Sequence, residues 1–214
     1  MGGALILSAR ARHHLLLFLS GAGLYLLAML LVPDDGPRDH LSIATAWHCL
    51  LLFGGVLLIG PLEQRKAGFR PVNHYWRRDM GIWIALTAIV HFFVATEVSM
   101  SQVYLGAFVN VSDVGIGIEW RNRLFSWGSI GGTLAGILLL IPFAISSDRA
   151  LRALGKQRWR KVQWLAYPAF LLTALHGFAF QLLESRNVIL LAVLVGLSLG
   201  VIGMRMVYRR SQGR

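Results

Sequence analysis

Six apolar runs, each close to the length that crosses a bilayer as a helix, divide this sequence at about 14–32, 43–60, 80–99, 124–146, 162–182 and 188–206. A run of roughly 20 apolar residues has one stable solution in lipid, a helix, because the hydrocarbon core offers no partner to an open backbone N–H or C=O. The expected fold class is therefore an all-α integral membrane protein. It is a six-transmembrane-helix bundle forming a single domain over residues 1–214. Composition agrees, since 56% of residues are hydrophobic and only 14% are charged, a balance foreign to soluble domains. The first run follows Arg10 and Arg12, as a signal peptide would. From Leu15 to Val32, however, it is longer than the apolar region of a typical signal peptide and ends in Val-Pro-Asp-Asp without a small-residue cleavage site, so it reads as the first span.

A formal charge of +11 raises the question of nucleic acid, but the cations fall in short clusters between apolar runs, where membrane topology explains them. The six spans place 17 Lys and Arg on one side and only Arg38, Arg121, Arg123 and Arg186 on the other. Cations are retained on the cytoplasmic side, so both termini are expected there. The acids lean the opposite way, seven outside against three inside. The single cysteine, Cys49, lies within an apolar run and reads as a small buried hydrophobe.

Between spans three and four, Ser99 to Arg123 forms a long semi-apolar outer segment, read either as a connector or as a surface that meets the membrane or a partner. At the start of span four, Gly128, Gly131, Gly132 and Gly136 recur at spacings that let helices pack closely.

Two spans begin at a basic edge and then bury a histidine. His91 follows the basic pair Arg77 and Arg78, and His176 follows the basic pair Arg160 and Lys161, at nearly the same separation. At about 1.5 Å per residue, both imidazoles sit roughly 20 Å from the basic edge, about two-thirds of the way across a ~30 Å hydrocarbon core. An ionisable group at such depth is costly unless it is bonded or ligated. Two neutral imidazoles facing each other at one depth are what a six-coordinate haem iron requires, one axial nitrogen from each. Ala88 and Ala95 near one, and Thr173, Gly177 and Ala179 near the other, leave space for a flat macrocycle. A chlorophyll-type magnesium could use such histidines singly. His48, in the outer third of span two near the same depth, is a packed histidine or a partner for a propionate. His13, His14, His40 and His74 read as solvated or interfacial.

The residues that carry these features also carry a resemblance. The stretches ATAWHCLLLFGGVLLIGPL, WRRDMGIWIALTAIVH and LGKQRWRKVQWLAYPAFLLTALH make the chain similar to the ferric reductase-like transmembrane family, and within it to the MsrQ type. Arg77, Arg78 and Gly81 match the family's start before the histidine of span three, and His91 matches that ligand. Gly155, Lys156 and Trp159 match the segment before span five, with Leu175 and His176 matching its Leu-His pair. The resemblance implies a multi-pass protein of the bacterial inner membrane that binds haem b, with His91 and His176 as iron ligands. It implies electron transfer from quinol or a cytoplasmic flavin reductase to a periplasmic acceptor of the molybdopterin sulfoxide reductase kind. Such a chain is an electron-transfer subunit of an oxidoreductase system rather than a complete enzyme, and no nucleotide-binding loop is present to suggest otherwise.

Arg121, Arg123 and Arg186 are the outer cations available to haem propionates. One departure stands out. Where the family has a further histidine on span five, nearer the basic edge than the one matching His176, this chain has Gln163, whereas Tyr167 fits the pattern. An amide is a poor iron ligand, so one haem per chain is expected, and a second haem or FMN-linked electron uptake at the cytoplasmic face is disfavoured. The alternative reading is a structural or pigment-holding subunit of a larger membrane complex that keeps the fold without electron transfer.

Overall fold

The computed structural model describes residues 8–32, 35–65, 74–100, 116–184 and 187–212, and it contains no strand among the described residues. Among the described residues seven helices follow in order: α1 (Ala9–Leu31), α2 (Pro37–Arg65), α3 (His74–Met100), α4 (Ile116–Ala144), α5 (Asp148–Gln163), α6 (Ala166–Leu183) and α7 (Val188–Gln212). Six stretches are long and apolar enough to cross a membrane: Arg10–Leu31, Pro37–Ile59, Trp76–Glu97, Arg123–Ala144, Gln157–Leu183 and Val188–Val207. They coincide with the six apolar runs, and the chain is an all-α, multi-pass membrane protein. Of the segment expected to form an outer connector, residues 101–115 lie outside the described residues, and Ile116 onward already belongs to α4.

These helices are apolar on nearly every face, so their outer sides expose Leu16, Phe18, Leu30, Trp127 and Val188 where lipid would lie. The Ser8 side chain accepts from the Ala11 N–H and the Ser147 side chain from the Ala150 N–H, each satisfying one open donor of a first turn.

The middle of the bundle is α2, which packs against α1, α3, α6 and α7, while α4 lies along α6 and also meets α3. The core joins Cys49, Leu50, Phe53 and Leu57 of α2 to Ile84, Leu139, Ala169, Phe170, Leu194 and Val201 from four other helices. Phe53 and Phe170 meet edge to face at 5.5 Å. Cys49 is buried in this core, as its sequence context implied. Lipid is as apolar as these side chains, so close packing rather than water exclusion holds the helices together.

The basic approach to span five, which carries no turn signal in sequence, is broken twice. Gly155 has φ 73° and ψ 155°, a left-handed conformation that favours glycine, and it bends α5 into two segments. Trp164 and Leu165 then join α5 to α6 through bonds of 3₁₀ type, Trp164 N–H to the Lys161 carbonyl and Leu165 N–H to the Val162 carbonyl.

Candidate functional site

His91 on α3 and His176 on α6 meet across the bundle. Their ring centres are 6.0 Å apart and their planes cross at 76°. Each ring is held by the same device on a different helix. His91 Nδ1 donates to the Ser42 carbonyl of α2 at 3.0 Å, and His176 Nδ1 donates to the Gly128 carbonyl of α4 at 2.9 Å. A proton fixed on Nδ1 leaves the lone pair at Nε2, the arrangement by which backbone carbonyls orient metal-ligating histidines.

Both carbonyls mark one depth. Ser42 lies five residues into the span that begins at Pro37, and Gly128 lies five residues into the span that begins at Arg123. At about 1.5 Å per residue, each is roughly 7–8 Å from its end of the bundle.

The backbone of α4 makes room for the second ring. A Cβ at Gly132 would stand 2.5 Å from His176 Nδ1, and one at Gly128 would stand 3.1 Å from Ala179 Cβ. Gly128 and Gly132, four apart, therefore form the face against α6, whereas Gly131 and Gly136 look into open space. Phe180 lies 4.9 Å from the His176 ring and itself meets Phe125 at 5.6 Å, which closes the site toward the end of α6.

Two nitrogens are too few for a bare metal ion, and no group of three or more His, Cys, Asp or Glu suited to one occurs among the described residues. They suffice where a macrocycle supplies the remaining ligands. Two metal–imidazole bonds of ~2 Å plus two ring radii come to roughly 6 Å. The observed 6.0 Å spacing, the Nδ1 tautomer and the close approach at Gly132 all fit such a group.

The structure does not bring His48 to this pair. Its Nε2 meets the Ser20 hydroxyl at 2.9 Å and its ring stands edge-on to Trp83 at 6.0 Å. On α2 it lies six residues beyond Ser42, roughly 9 Å along the helix, so it is not at the depth of His91 as the span positions alone suggested. His48 instead borders a cavity of about 330 Å³ between α1, α2 and α3, shared with Gly21, Thr45, Trp83, Thr87 and Val90.

Arg121 and Arg123 lie at the start of α4, at the end of the bundle nearest the pair, and both are exposed. Arg121 donates from Nη2 to the Leu183 carbonyl at 2.7 Å and so ties the start of α4 to the end of α6. Arg186 lies outside the described residues, and so does the side chain of His74. His40, read as solvated or interfacial, is buried near the start of α2 with Nε2 donating to the Val32 carbonyl at 2.7 Å. Gln163 Nε2 reaches the Pro142 carbonyl of α4 at a long 3.4 Å.

A second cluster had no signal in sequence. Asp79 is fully buried at the opposite end of α3 and is clasped by α1, with Arg10 Nη2 at 2.9 Å and His13 Nδ1 at 3.1 Å. The Trp83 indole donates to His14 Nδ1 at 3.0 Å, which places the His14 proton on Nε2, 3.6 Å from Asp79. His13 and His14, read as solvated or interfacial, thus partner a buried carboxylate while remaining partly exposed.

No family model matches the chain. Over 104 residues it is 33% identical to the protein-methionine-sulfoxide reductase heme-binding subunit MsrQ of Rhodospirillum rubrum, covering 44% of this chain and 50% of that protein. The chain spans about half the length of the curated relative it matches, and across that half it is similar to an MsrQ-type heme-binding subunit, in keeping with the resemblance carried by its histidine-bearing helices.

Proposed function

We propose that this chain is a haem-binding membrane subunit that passes electrons through the bilayer, with His91 and His176 as the two axial ligands of one haem b. The observation that carries this reading is the facing pair itself, 6.0 Å between ring centres with both Nδ1 atoms tied to carbonyls. The similarity to an MsrQ heme-binding subunit supports it independently of geometry.

When bound, the haem would supply one-electron chemistry. The chain's own work is to hold the two Nε2 atoms in opposition, to keep water away through the apolar faces of α3, α4 and α6, and to set the dielectric around the iron. Arg121 and Arg123, both exposed at the near end of α4, are the cations we assign to the propionates, and Arg121 also donates to the Leu183 carbonyl.

The cation asymmetry supports cytoplasmic termini in a bacterial inner membrane, and that orientation puts the pair near the periplasmic face. The acceptor would then be a periplasmic sulfoxide reductase. The donor would be membrane quinol or a separate flavin reductase. The cavity beside His48 suits a lipid-borne donor, since Val90 and Thr87 on its wall are neighbours of His91 along α3, and Phe18 and Leu86 on its rim are exposed.

A visible spectrum of the purified chain tests the proposal. A dithionite-reducible b-type haem lost in both His91→Ala and His176→Ala is the expected result. A chain that folds without haem would sink it and leave the structural or pigment-holding reading.

A further inference from the structure

The bond from the Trp83 indole to His14 Nδ1, 3.0 Å long, exists in only one protonation state of the imidazole. An indole N–H can only donate, and an imidazole accepts only at a nitrogen that carries no proton. A neutral His14 with its proton on Nε2 meets that need, and Nε2 stands 3.6 Å from Asp79 Oδ1. A second proton has one place to go, Nδ1, where it would set an N–H against the Trp83 N–H. Proton uptake by His14 and release of Trp83 are therefore one event.

His13 beside it behaves differently. Its Nδ1 lies 3.1 Å from Asp79 Oδ2, so a second proton enters at Nε2 and leaves that contact in place. The charged groups around His14 are those of the clasp, Arg10 and His13 on α1 and Asp79 on α3, with Arg77 and Arg78 preceding Asp79 in the chain. Asp79 favours a positive charge on His14, and Arg10 opposes it. Protons can reach the imidazole, since 38% of its side chain is exposed.

Trp83 carries the event into the membrane. Its ring forms a wall of the cavity between α1, α2 and α3, standing 6.3 Å from Phe18 of α1 and 6.0 Å, edge-on, from His48 of α2. Along α3 the cavity runs from Trp83 to Val90, roughly 10 Å toward His91. Hydrocarbon offers no replacement acceptor, so an indole that loses His14 must turn, and the wall moves with it.

We infer that His14 is a proton-operated latch on this cavity: neutral, it holds the Trp83 wall in place, and protonated, it frees the wall and widens the lipid-facing opening beside the exposed Phe18 and Leu86. The latch stands at the basic edge of the bundle, so it reads the pH of that side. It rests on the contact between α1 and α3 and not on the histidine pair, so failure of the haem proposal leaves it standing.

Fluorine NMR of the full-length chain labelled with 5-fluorotryptophan, in micelles, tests it. The chain has seven tryptophans, and the resonance missing from Trp83→Phe is that of Trp83. It is expected to move as pH falls from about 8 to about 5, the range in which an imidazole ordinarily takes up its proton. At the acid end it should also broaden more in micelles that contain phosphatidylcholine spin-labelled on its acyl chain. His14→Gln keeps an oxygen that can accept the indole N–H but takes up no proton, so there the Trp83 resonance should stay in place. In His13→Gln it should still move. A titration of the unaltered chain in which no tryptophan resonance moves would overturn the latch without recourse to a variant. So would a Trp83 resonance that moves as far in His14→Gln as in the unaltered chain. Equal broadening by the spin label at both ends of the range would overturn the link to the cavity.

Discussion

The rings of His91 and His176 oppose each other at 6.0 Å although they lie on helices that follow different paths, α3 and α6, and each is fixed by a carbonyl from a third and fourth helix. Four helices thus converge on two side chains. If the pair holds haem as proposed, removing either imidazole takes away one of two ligands, and the remaining one would hold haem far more weakly. His91→Ala and His176→Ala are each expected to lower haem content more than tenfold in a pyridine haemochrome assay, with the helical circular dichroism signal unchanged. Retention of haem by either variant would show that the pair is not the site.

Gly132 offers a test that leaves both histidines in place. Any side chain there collides with the His176 ring at 2.5 Å, and the colliding atom is a ring nitrogen already committed to Gly128, so the ring cannot simply swing aside. Overpacking of this kind costs ~1–3 kcal/mol. Gly132→Ala should shift the haem absorption and reduce occupancy, whereas Gly131→Ala, which enters open space, should do neither. Equal behaviour of the two variants would contradict the close approach of α4 to α6.

The six spans were legible because lipid imposes a length and an apolar composition that no short-range signal can override. The proximity of His91 and His176 was legible for a related reason: a basic helix start fixes depth, and both histidines were counted from one. His48 shows the limit of that argument. Its position within the apolar run gave the wrong level, because α2 begins at Pro37, well before that run, and the bond from His91 to the Ser42 carbonyl, six residues before His48, reveals the offset. The clasp on Asp79 was not legible at all, since Arg10, His13 and His14 are remote from it in sequence and meet it only through the packing of α1 on α3. The bend at Gly155 was hidden for a local reason, a lone glycine in a cationic helix giving no sign of its φ.

Asp79 is enclosed completely, and its partners all come from α1, so the clasp is the polar anchor of the first span. Breaking a buried pair leaves its other members without a counter-charge, at about 3–5 kcal/mol. Arg10 is half exposed and can recover water, which places Asp79→Asn toward the lower end, ~3 kcal/mol. The expected result is a lower midpoint of thermal unfolding and earlier proteolysis near α1. An unchanged midpoint would show that α1 is held by its apolar contacts alone.

Orientation is open to a direct measurement. With 17 of the 21 Lys and Arg on one side of the membrane, the C-terminus after α7 is expected in the cytoplasm. A fluorescent reporter that matures only in the cytoplasm should light when fused there, and an alkaline phosphatase fusion should stay inactive. The reverse pattern would invert the bundle and move the histidine pair to the cytoplasmic side.

Gln163 precedes His176 along span five and lies roughly 20 Å nearer the basic edge, where the resembling family has another histidine. Its side-chain nitrogen reaches the Pro142 carbonyl at 3.4 Å, a contact between α5 and α4 that is open because Pro142 lies in the last turn of α4, whose carbonyls have no intrahelical partner. An amide has no nitrogen lone pair to give iron. A second haem at this level would therefore lack a ligand, and one haem per chain is the expected stoichiometry. Gln163→Ala removes a long and weak hydrogen bond worth about 0.5–1.5 kcal/mol at most and should leave haem content unchanged. Haem and protein quantified on the same sample decide the matter: a ratio near two, or loss of haem in Gln163→Ala, would show that this glutamine belongs to a cofactor site.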